Sequence, residues 1–369
     1  MIIDESRERY SKSYRFSEHT LVPIKAIEEL CENVKDFNPK NVKISSLLFM
    51  DMPGNESFIV STIRKKRYFS VCDLLILVID MVFGIESNEI IQIAKRHRHC
   101  IIVLNKLDRL FGYKSNPCKD IWQHLESQSS HFKSEFQTRY EKIVTEFSKE
   151  GINAMFANMN TNSSEYMPIV PISAYHGDGI GNLISCILEY SQTCLSQKLA
   201  ICQELDCTIL ESRDMPGFRT PIDVVIKNGI LKKNDTIVLM GKDGVMCTVI
   251  LEILVEKFSV EFQDMFRNKY EQHEEITGVQ IVKILANGLK NALLGLPLFV
   301  AHSDDDIDQL KFIFISSLFS DSLSSQPQPA AFPAYSAVSA PMKKNKKAVE
   351  TTIKVGSAGQ LSVNLLKIF

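Results

Sequence analysis

The chain has 369 residues, of which 45% are hydrophobic and 23% are charged, and this composition is typical of a folded protein with two or three domains. Its formal net charge of -2 provides no global basic field, so the sequence does not predict DNA binding and restricts any RNA contact to local patches. The N-terminus has no apolar signal segment and the apolar run 74–83 is too short to span a bilayer, which predicts a cytoplasmic protein without membrane association.

Short apolar runs alternate with longer amphipathic segments between residues 45 and 173. This alternation predicts a parallel sheet with crossover helices, whose ligands bind at the carboxyl ends of the strands. A stripe of apolar residues at three- and four-residue spacing, from Phe132 to Phe147, predicts one helix, and residues 181–199 predict another. The predicted strands are residues 46–50, 74–80, 100–104 and 169–172.

The pattern changes from about residue 202, where short strands follow one another with turn signals between them. Asn228-Gly229 and Asn234-Asp235 are such signals. This spacing predicts an antiparallel β-barrel. The predicted strands are residues 207–211, 222–226, 236–240 and 245–255.

A first motif, Asp51-Met52-Pro53-Gly54, follows the first predicted strand. In a nucleotide-hydrolysing fold, a carboxylate at this place can hold Mg²⁺ through a water molecule, and a glycine lets its N–H approach the terminal phosphate. The same four residues also fit a plain turn.

A second motif, Asn105-Lys106-Leu107-Asp108, follows the predicted strand 100–104. A fixed carboxylate can accept two N–H donors from the edge of guanine, whereas adenine offers no such pair there. The alternative is a loop in which Asn105 and Asp108 cap local N–H groups.

A third motif, Ser173-Ala174, follows the predicted strand 169–172 and is itself followed by the glycine-rich segment 177–181. Small residues there would let a backbone amide reach the guanine oxygen, although a helix-entry loop has the same composition. Three such motifs in this order, each at a strand end, favour a guanine site over chance.

The three motifs, in this order, resemble the third, fourth and fifth signature elements of Ras-type GTPases. The segment LFMDMPGNESF, residues 48–58, resembles the translational GTPases, and within them the chain is most similar to the initiation factor 5B group, which is related to bacterial initiation factor 2. The resemblance continues through CDLLILVIDMVFGIE, residues 72–86, and NGILKKNDTIVL, residues 228–239. It implies an α/β fold: an incomplete Ras-like P-loop GTPase domain with a mostly parallel sheet, followed by a translation-factor β-barrel.

The resemblance also implies a division of the chain. It would comprise a remnant of the first switch region and lead-in (1–44), a GTPase-like domain (45–200), a β-barrel (201–302), an acidic segment with a Pro/Ala/Ser-rich and then Lys-rich linker (303–349), and the start of a truncated third domain (350–369).

The phosphate-binding loop of this family is missing from the sequence. Such a loop needs glycines and a lysine in the pattern Gly-x-x-x-x-Gly-Lys-Ser/Thr, and no glycine precedes Gly54. Without the loop and the strand before it, we expect an open position in the sheet. In addition, Asn55 stands where most translational GTPases have the histidine that orients the attacking water.

The resemblance therefore implies GTP or GDP with Mg²⁺ as cofactors, with hydrolysis weak or lost. The implied base and phosphate contacts are Asp51, Gly54, Asn105, Lys106, Asp108, Ser173 and Ala174, with Asn55 at the degenerate catalytic position and Asp51 as an indirect Mg²⁺ contact.

The implied partner is the ribosome, and ribosomal RNA could be contacted through two basic clusters, residues 64–67 and 95–98. These clusters also fit two solvated helix faces. Because the C-terminal domain of the family is not in the sequence, initiator tRNA is not an expected partner. Two alternatives stay open: a non-enzymatic module that binds ribosome or protein, and the product of an incomplete gene model.

Overall fold

The computed structural model describes residues 18–35, 37–51, 67–85, 88–97, 99–160, 162, 165–199, 204–212, 220–256, 270–321 and 361–368. The first large sheet has seven strands in the order β1-β2-β16-β3-β4-β6-β5, and only β1 is antiparallel to its neighbour. Its strands are β1 (Glu18–Pro23), β2 (Ile44–Asp51), β3 (Leu74–Asp80), β4 (Cys100–Asn105), β5 (Ala154–Phe156), β6 (Met167–Pro171) and β16 (Leu361–Ile368).

Helices cover both faces of this sheet, and for that reason its strands are nearly continuous apolar runs. In β4, the side chains from Cys100 to Leu104 are all fully buried. The sheet confirms the predicted α/β class. The helices that belong to it are α1 (Ile24–Leu30), α2 (Asn88–Arg96), α3 (Ile121–Glu126), α4 (Ser130–Lys149) and α5 (Ile180–Cys194).

The apolar stripe predicted between Phe132 and Phe147 lies on α4 and faces the sheet. Phe132 and Phe147 are fully buried. The Ser129 hydroxyl accepts the first capping bond from the Phe132 N–H at 3.3 Å, and Gly151 follows the helix with a φ of 77°. The stripe is therefore core packing, as the spacing indicated.

Residues 18–44 are part of the first domain, although the sequence analysis placed the start of that domain at residue 45. Strand β1 pairs with β2 along its whole length, and α1 buries Ile27 and Cys31 on the face of the sheet that α5 also covers. The local pattern offered little sign of this, because α1 spans only seven residues and buries one side chain within its bounds.

The centre of the sheet is occupied by β16, which runs parallel to both β2 and β3. The expectation of an open position in the sheet was therefore wrong. The assignment of residues 350–369 to a third domain also differs from the structure, because residues 361–368 belong to the first sheet. Pairing between strands so distant in the chain leaves no local sequence signal.

The second half of the chain forms the predicted barrel. Its antiparallel sheet has the order β15-β10-β11-β14-β8-β7, and backbone bonds from Leu298 N to Cys207 O (2.9 Å) and from Ile209 N to Leu296 O (3.0 Å) close it. Asn234 adopts a φ of 70°, as expected of an asparagine in that turn. The strands are β7 (Asp206–Ser212), β8 (Ile222–Asn228), β9 (Ile230–Lys232), β10 (Thr236–Gly241), β11 (Gly244–Glu256), β12 (Tyr270–His273), β13 (Glu275–Thr277), β14 (Gln280–Ala286) and β15 (Phe299–Ala301).

A helix, α6 (Asp304–Asp321), follows the barrel where the sequence analysis placed the beginning of a linker. Phe314 is buried against β10 and β15. The helix begins with a capping box, in which Asp306 N donates to Ser303 Oγ (3.2 Å) and the Asp306 carboxylate accepts from Ser303 N (2.9 Å). The interpretation of these residues as an acidic segment missed this box. The rest of the predicted linker, 322–349, lies outside the described residues.

The two domains share a buried junction. Tyr68 Oη donates to Glu211 Oε1 at 3.1 Å, and Arg67 Nη1 donates to the Leu210 carbonyl at 2.7 Å. Leu210 and Val225 of the barrel belong to the same apolar cluster as β3 and α4. Among the described residues, no helix is both long and apolar enough to cross a membrane.

Candidate functional site

Polar residues lie at the ends of four strands, along one edge of the first sheet. Asp51, Asp80 and Asn105 end β2, β3 and β4, and Ser173 follows β6. Since β2, β16, β3, β4 and β6 run parallel, these carboxyl ends lie along the same edge. Asp80 and Asn105 are direct neighbours in the ladder. Asp51 lies at the level of Ile76, four residues before Asp80, because Lys367 of β16 pairs with both Asp51 and Ile76.

The second and third motifs are bonded to each other. Asn105 Oδ1 accepts from the backbone N–H groups of Lys106 (2.8 Å) and Ala174 (3.0 Å), and Ser173 Oγ donates to Asp108 Oδ1 at 2.6 Å. The Asp108 side chain is half-buried. These bonds position one carboxylate beside a small-residue loop, which is the arrangement that guanine recognition requires.

Lys106 adopts the left-handed conformation, with a φ of 69°, and its ammonium lies 2.9 Å from Asp80 Oδ2. Asp80 Oδ1 also accepts from the Val82 N–H at 2.7 Å. Burial on its own raises the pKa of Asp80, but the hydrogen bonds from Lys106 and Val82 outweigh it, so the pKa lies below its ordinary value. The sequence analysis missed Asp80 as a site residue, although its place at the end of a strand was a usable signal.

A second carboxylate that the sequence analysis missed supports the Ser173-Ala174 loop from behind. Asp178 is fully buried and accepts from Tyr113 Oη (2.6 Å), Asn116 N (2.9 Å) and Ser115 Oγ (3.2 Å), while Ser173 N donates to the Asp178 carbonyl at 3.0 Å. Burial, and then the bond to Asp178, raises the pKa of Tyr113. The loop is thereby held by the 113–116 segment.

Gly179 makes this arrangement possible. Its φ is 77°, and a Cβ at this position would lie 2.6 Å from the Pro171 carbonyl oxygen. Any other residue would push the loop away from the end of β6.

We expect Asp178→Asn to weaken guanine nucleotide binding at least about tenfold and to destabilise the protein by about 1–3 kcal/mol, because an amide has a single acceptor oxygen for three donors. Fluorescence titration and thermal melting would measure the two effects. The matched control is Asp243→Asn, at an exposed turn between β10 and β11. Equal behaviour of the two variants would contradict the role assigned to Asp178.

The phosphate end of the site begins at Asp51. This residue is half-buried, and its backbone pairs with Glu18 on one side and Lys367 on the other. Gly54 and Asn55 lie outside the described residues. The sequence contains no Gly-x-x-x-x-Gly-Lys-Ser/Thr pattern. Among the described residues, the groups suited to a ligand are therefore those of the Asn105–Asp108 and Ser173–Ala174 segments.

The two basic clusters are partly engaged within the protein. Arg67 contacts the barrel, and Lys95 forms an ion pair with Glu150. Arg96 is exposed, whereas residues 64–66 and 98 lie outside the described residues. Arg67 is therefore not simply part of a solvent-exposed helix face, which was the alternative interpretation of its basic cluster.

Comparisons with known proteins agree with this geometry. The family model described as "Elongation factor Tu GTP binding domain" matches residues 24–193. "Eukaryotic translation initiation factor 5B" of Homo sapiens is 40% identical over 302 residues, which are 81% of this chain and 24% of that protein. "Probable translation initiation factor IF-2" of Thermococcus onnurineus is 34% identical over 304 residues, which are 81% of this chain and 50% of that protein.

Among solved structures, GDP-bound aIF5B from Aeropyrum pernix matches with a TM-score of 0.72 and 28% identity, over 82% of this chain and 50% of that chain. The chain thus spans between about a quarter and half of the length of these relatives. The match covers both the sheet domain and the barrel.

Proposed function

Since this chain belongs to the translational GTPases related to initiation factors 5B and IF-2, we propose that it binds guanine nucleotides and takes part in translation initiation. The observation that carries the proposal is the pair of bonds joining Asp108 to Ser173 and Asn105 to Ala174. They hold a base-reading carboxylate and a backbone loop in one fixed arrangement.

Base selection follows from hydrogen-bond complementarity. The Asp108 carboxylate would accept the ring N–H and the exocyclic amine of guanine, and the Ala174 loop would face the guanine oxygen. Adenine would leave the carboxylate unpaired, and such a mismatch costs several powers of ten in affinity in sites built around buried polar groups. Lys106 and Asp80 would fix the loop from the other side.

Hydrolysis is expected to be weak or lost. The sequence has neither a phosphate loop nor its lysine, and Asn55 replaces the water-orienting histidine of the family. These groups supply most of the transition-state stabilisation in phosphoryl transfer. For Mg²⁺, the remaining contact would be Asp51 through water, and one indirect carboxylate is a poor site for an ion that requires near-ideal octahedral geometry.

The test is a calorimetric titration of the purified chain with GDP, GTP, guanosine and ATP, with and without Mg²⁺. We expect saturable binding of the three guanine ligands with dissociation constants within about tenfold of one another, because phosphates add little where no loop holds them. ATP should not compete. Failure of every guanine ligand to saturate at millimolar concentration would overturn the proposal, and a strong preference for GTP would show that the phosphates are held by other means.

The same proposal includes the ribosome as a partner in the cytoplasm, with rRNA contact through exposed basic residues such as Arg96. The buried Tyr68–Glu211 junction favours a second candidate, a non-enzymatic module, because it fixes the barrel to the sheet domain as one docking body. Co-sedimentation with ribosomes separates the two: dependence on GTP supports a switch, and binding that ignores nucleotide supports the module.

A further inference from the structure

Strand β16 joins two halves of the sheet that do not contact each other through any other described strand. On one side, Leu361 to Lys367 pair with β2, and on the other side Leu365 to Ile368 pair with β3. The strands of one half, β1 and β2, lie within residues 18–51, and the strands of the other half, β3 to β6, lie within residues 74–171. The strand between them comes from the far end of the described chain.

The slot between β2 and β3 has a strict requirement for its occupant. Leu47, Leu48, Leu74 and Leu75 of the flanking strands are at most 1% exposed, so an empty slot would leave backbone N–H and C=O groups unpaired next to apolar side chains. The slot is parallel on both sides. Its occupant must be an extended, mainly apolar segment that runs in one direction, as LSVNLLKI does.

The connection to β16 differs from that of an ordinary sheet strand. Helix α6 ends at Asp321, and residues 322–360 separate it from Leu361. The entropic cost of closing a loop rises only slowly with its number of residues, so this separation in sequence does not prevent β16 from reaching the slot. Docking of β16 is then comparable to the binding of a tethered peptide.

We propose that residues 361–368 are a docking segment of this chain, which binds the slot between β2 and β3 as an intramolecular strand ligand. The slot is thus a peptide-binding surface that recognises its occupant through main-chain ladders on both sides. A separate peptide of the same sequence binds it when the chain's own segment cannot. The paired residues of β2 and β3 do not include Asn105, Asp108 or Ser173.

Hydrogen exchange followed by mass spectrometry tests the docked state in the unmodified chain. We expect amides of residues 362–368 to exchange at least about a hundredfold more slowly in the chain than in a free peptide of residues 359–369, because ladder bonds protect them. Equal and fast exchange in the chain and in the free peptide would overturn the proposal.

Cross-linking tests the register. Ser362 and Ser46 are neighbours in the parallel ladder, so Ser362→Cys with Ser46→Cys should form a disulfide, found by mass spectrometry as a linked peptide pair. The matched control is Ser362→Cys with Ser134→Cys, because Ser134 is exposed on α4 and belongs to no strand. Linkage in the control at the same yield would show random contact and overturn the register.

A trans experiment tests the binding surface. The full chain carrying Leu365→Pro is titrated with a peptide of residues 359–369, and the control peptide carries the same proline. We expect saturable binding and a rise in melting temperature with the first peptide and neither with the second. If Leu365→Pro does not fold, hydrogen exchange in the unmodified chain and cross-linking in the double-cysteine variants still decide whether the segment docks. Loss of guanine binding with normal docking would count against the proposed function only.

Discussion

Asp108→Asn is expected to abolish saturable binding of GDP over the range in which the original protein saturates, a loss of at least about a hundredfold. Each hydrogen bond to a charged group contributes about 1.5–3 kcal/mol, and the substitution replaces an acceptor oxygen with a donor that faces the guanine amine. Xanthine carries a carbonyl in place of that amine. We therefore expect the variant to bind xanthosine diphosphate in preference to GDP.

Calorimetric titration of GDP and xanthosine diphosphate into the original protein and into Asp108→Asn measures whether the variant's preference changes from the first ligand to the second. Melting curves serve as the control, because the oxygen of the new amide can still accept the bond that Ser173 donates to Asp108, and stability should change little. GDP affinity that is unchanged in the variant would show that the Asn105–Asp108 loop is only a cap at the end of a strand, which was the alternative interpretation of that motif.

Leu365→Pro is expected to be among the most damaging single substitutions for the stability of the first domain. Residue 365 pairs with Phe49 on β2 and with Leu74 on β3. Proline has no N–H and is not tolerated in central strands. We expect the free energy of unfolding to fall by roughly 3 kcal/mol or more. A decrease of this size lowers the melting temperature by about 6–12 °C in a domain of this size.

The comparison variant is Ser130→Pro, at the exposed first residue of α4, where proline is tolerated because the N–H has no partner within the helix. Its melting curve should match that of the original protein, as followed by circular dichroism. If both proline variants melt together with the original, residues 361–368 contribute nothing to the sheet, and the first domain is stable without a central strand.

The parts of the fold that could be predicted are those with a local pattern. Four strands of the first sheet and the long helix α4 were predictable because buried parallel strands are continuous apolar runs and a helix repeats its apolar face every three or four residues. The contact between the second and third motifs was predictable for the same reason: Asn105, Asp108 and Ser173 each lie at or shortly after the end of such a run. The structure brings these three residues together.

The parts that escaped prediction depend on distant partners. Asp178 lies within a glycine-rich segment that we interpreted only as a loop, and its role becomes visible when Tyr113 and Asn116 are seen to donate to it. Helix α6 was not predicted, because three consecutive aspartates at its start led us to interpret the residues as an acidic segment. The position of β16 in the sheet could not be predicted from its own residues, because a short, mainly apolar segment such as LSVNLLKI is compatible with the interior of either sheet.

The position of β16 has a consequence for biosynthesis. At about 5–20 residues per second, the ribosome needs roughly 15–55 s to add the residues between Asp80, where β3 ends, and Leu361, where β16 begins. During that time the inner edges of β2 and β3 lack the strand that pairs with them in the described part of the finished chain. Open strand edges attract other chains, so these two edges are where a chaperone would be needed until the last strand emerges.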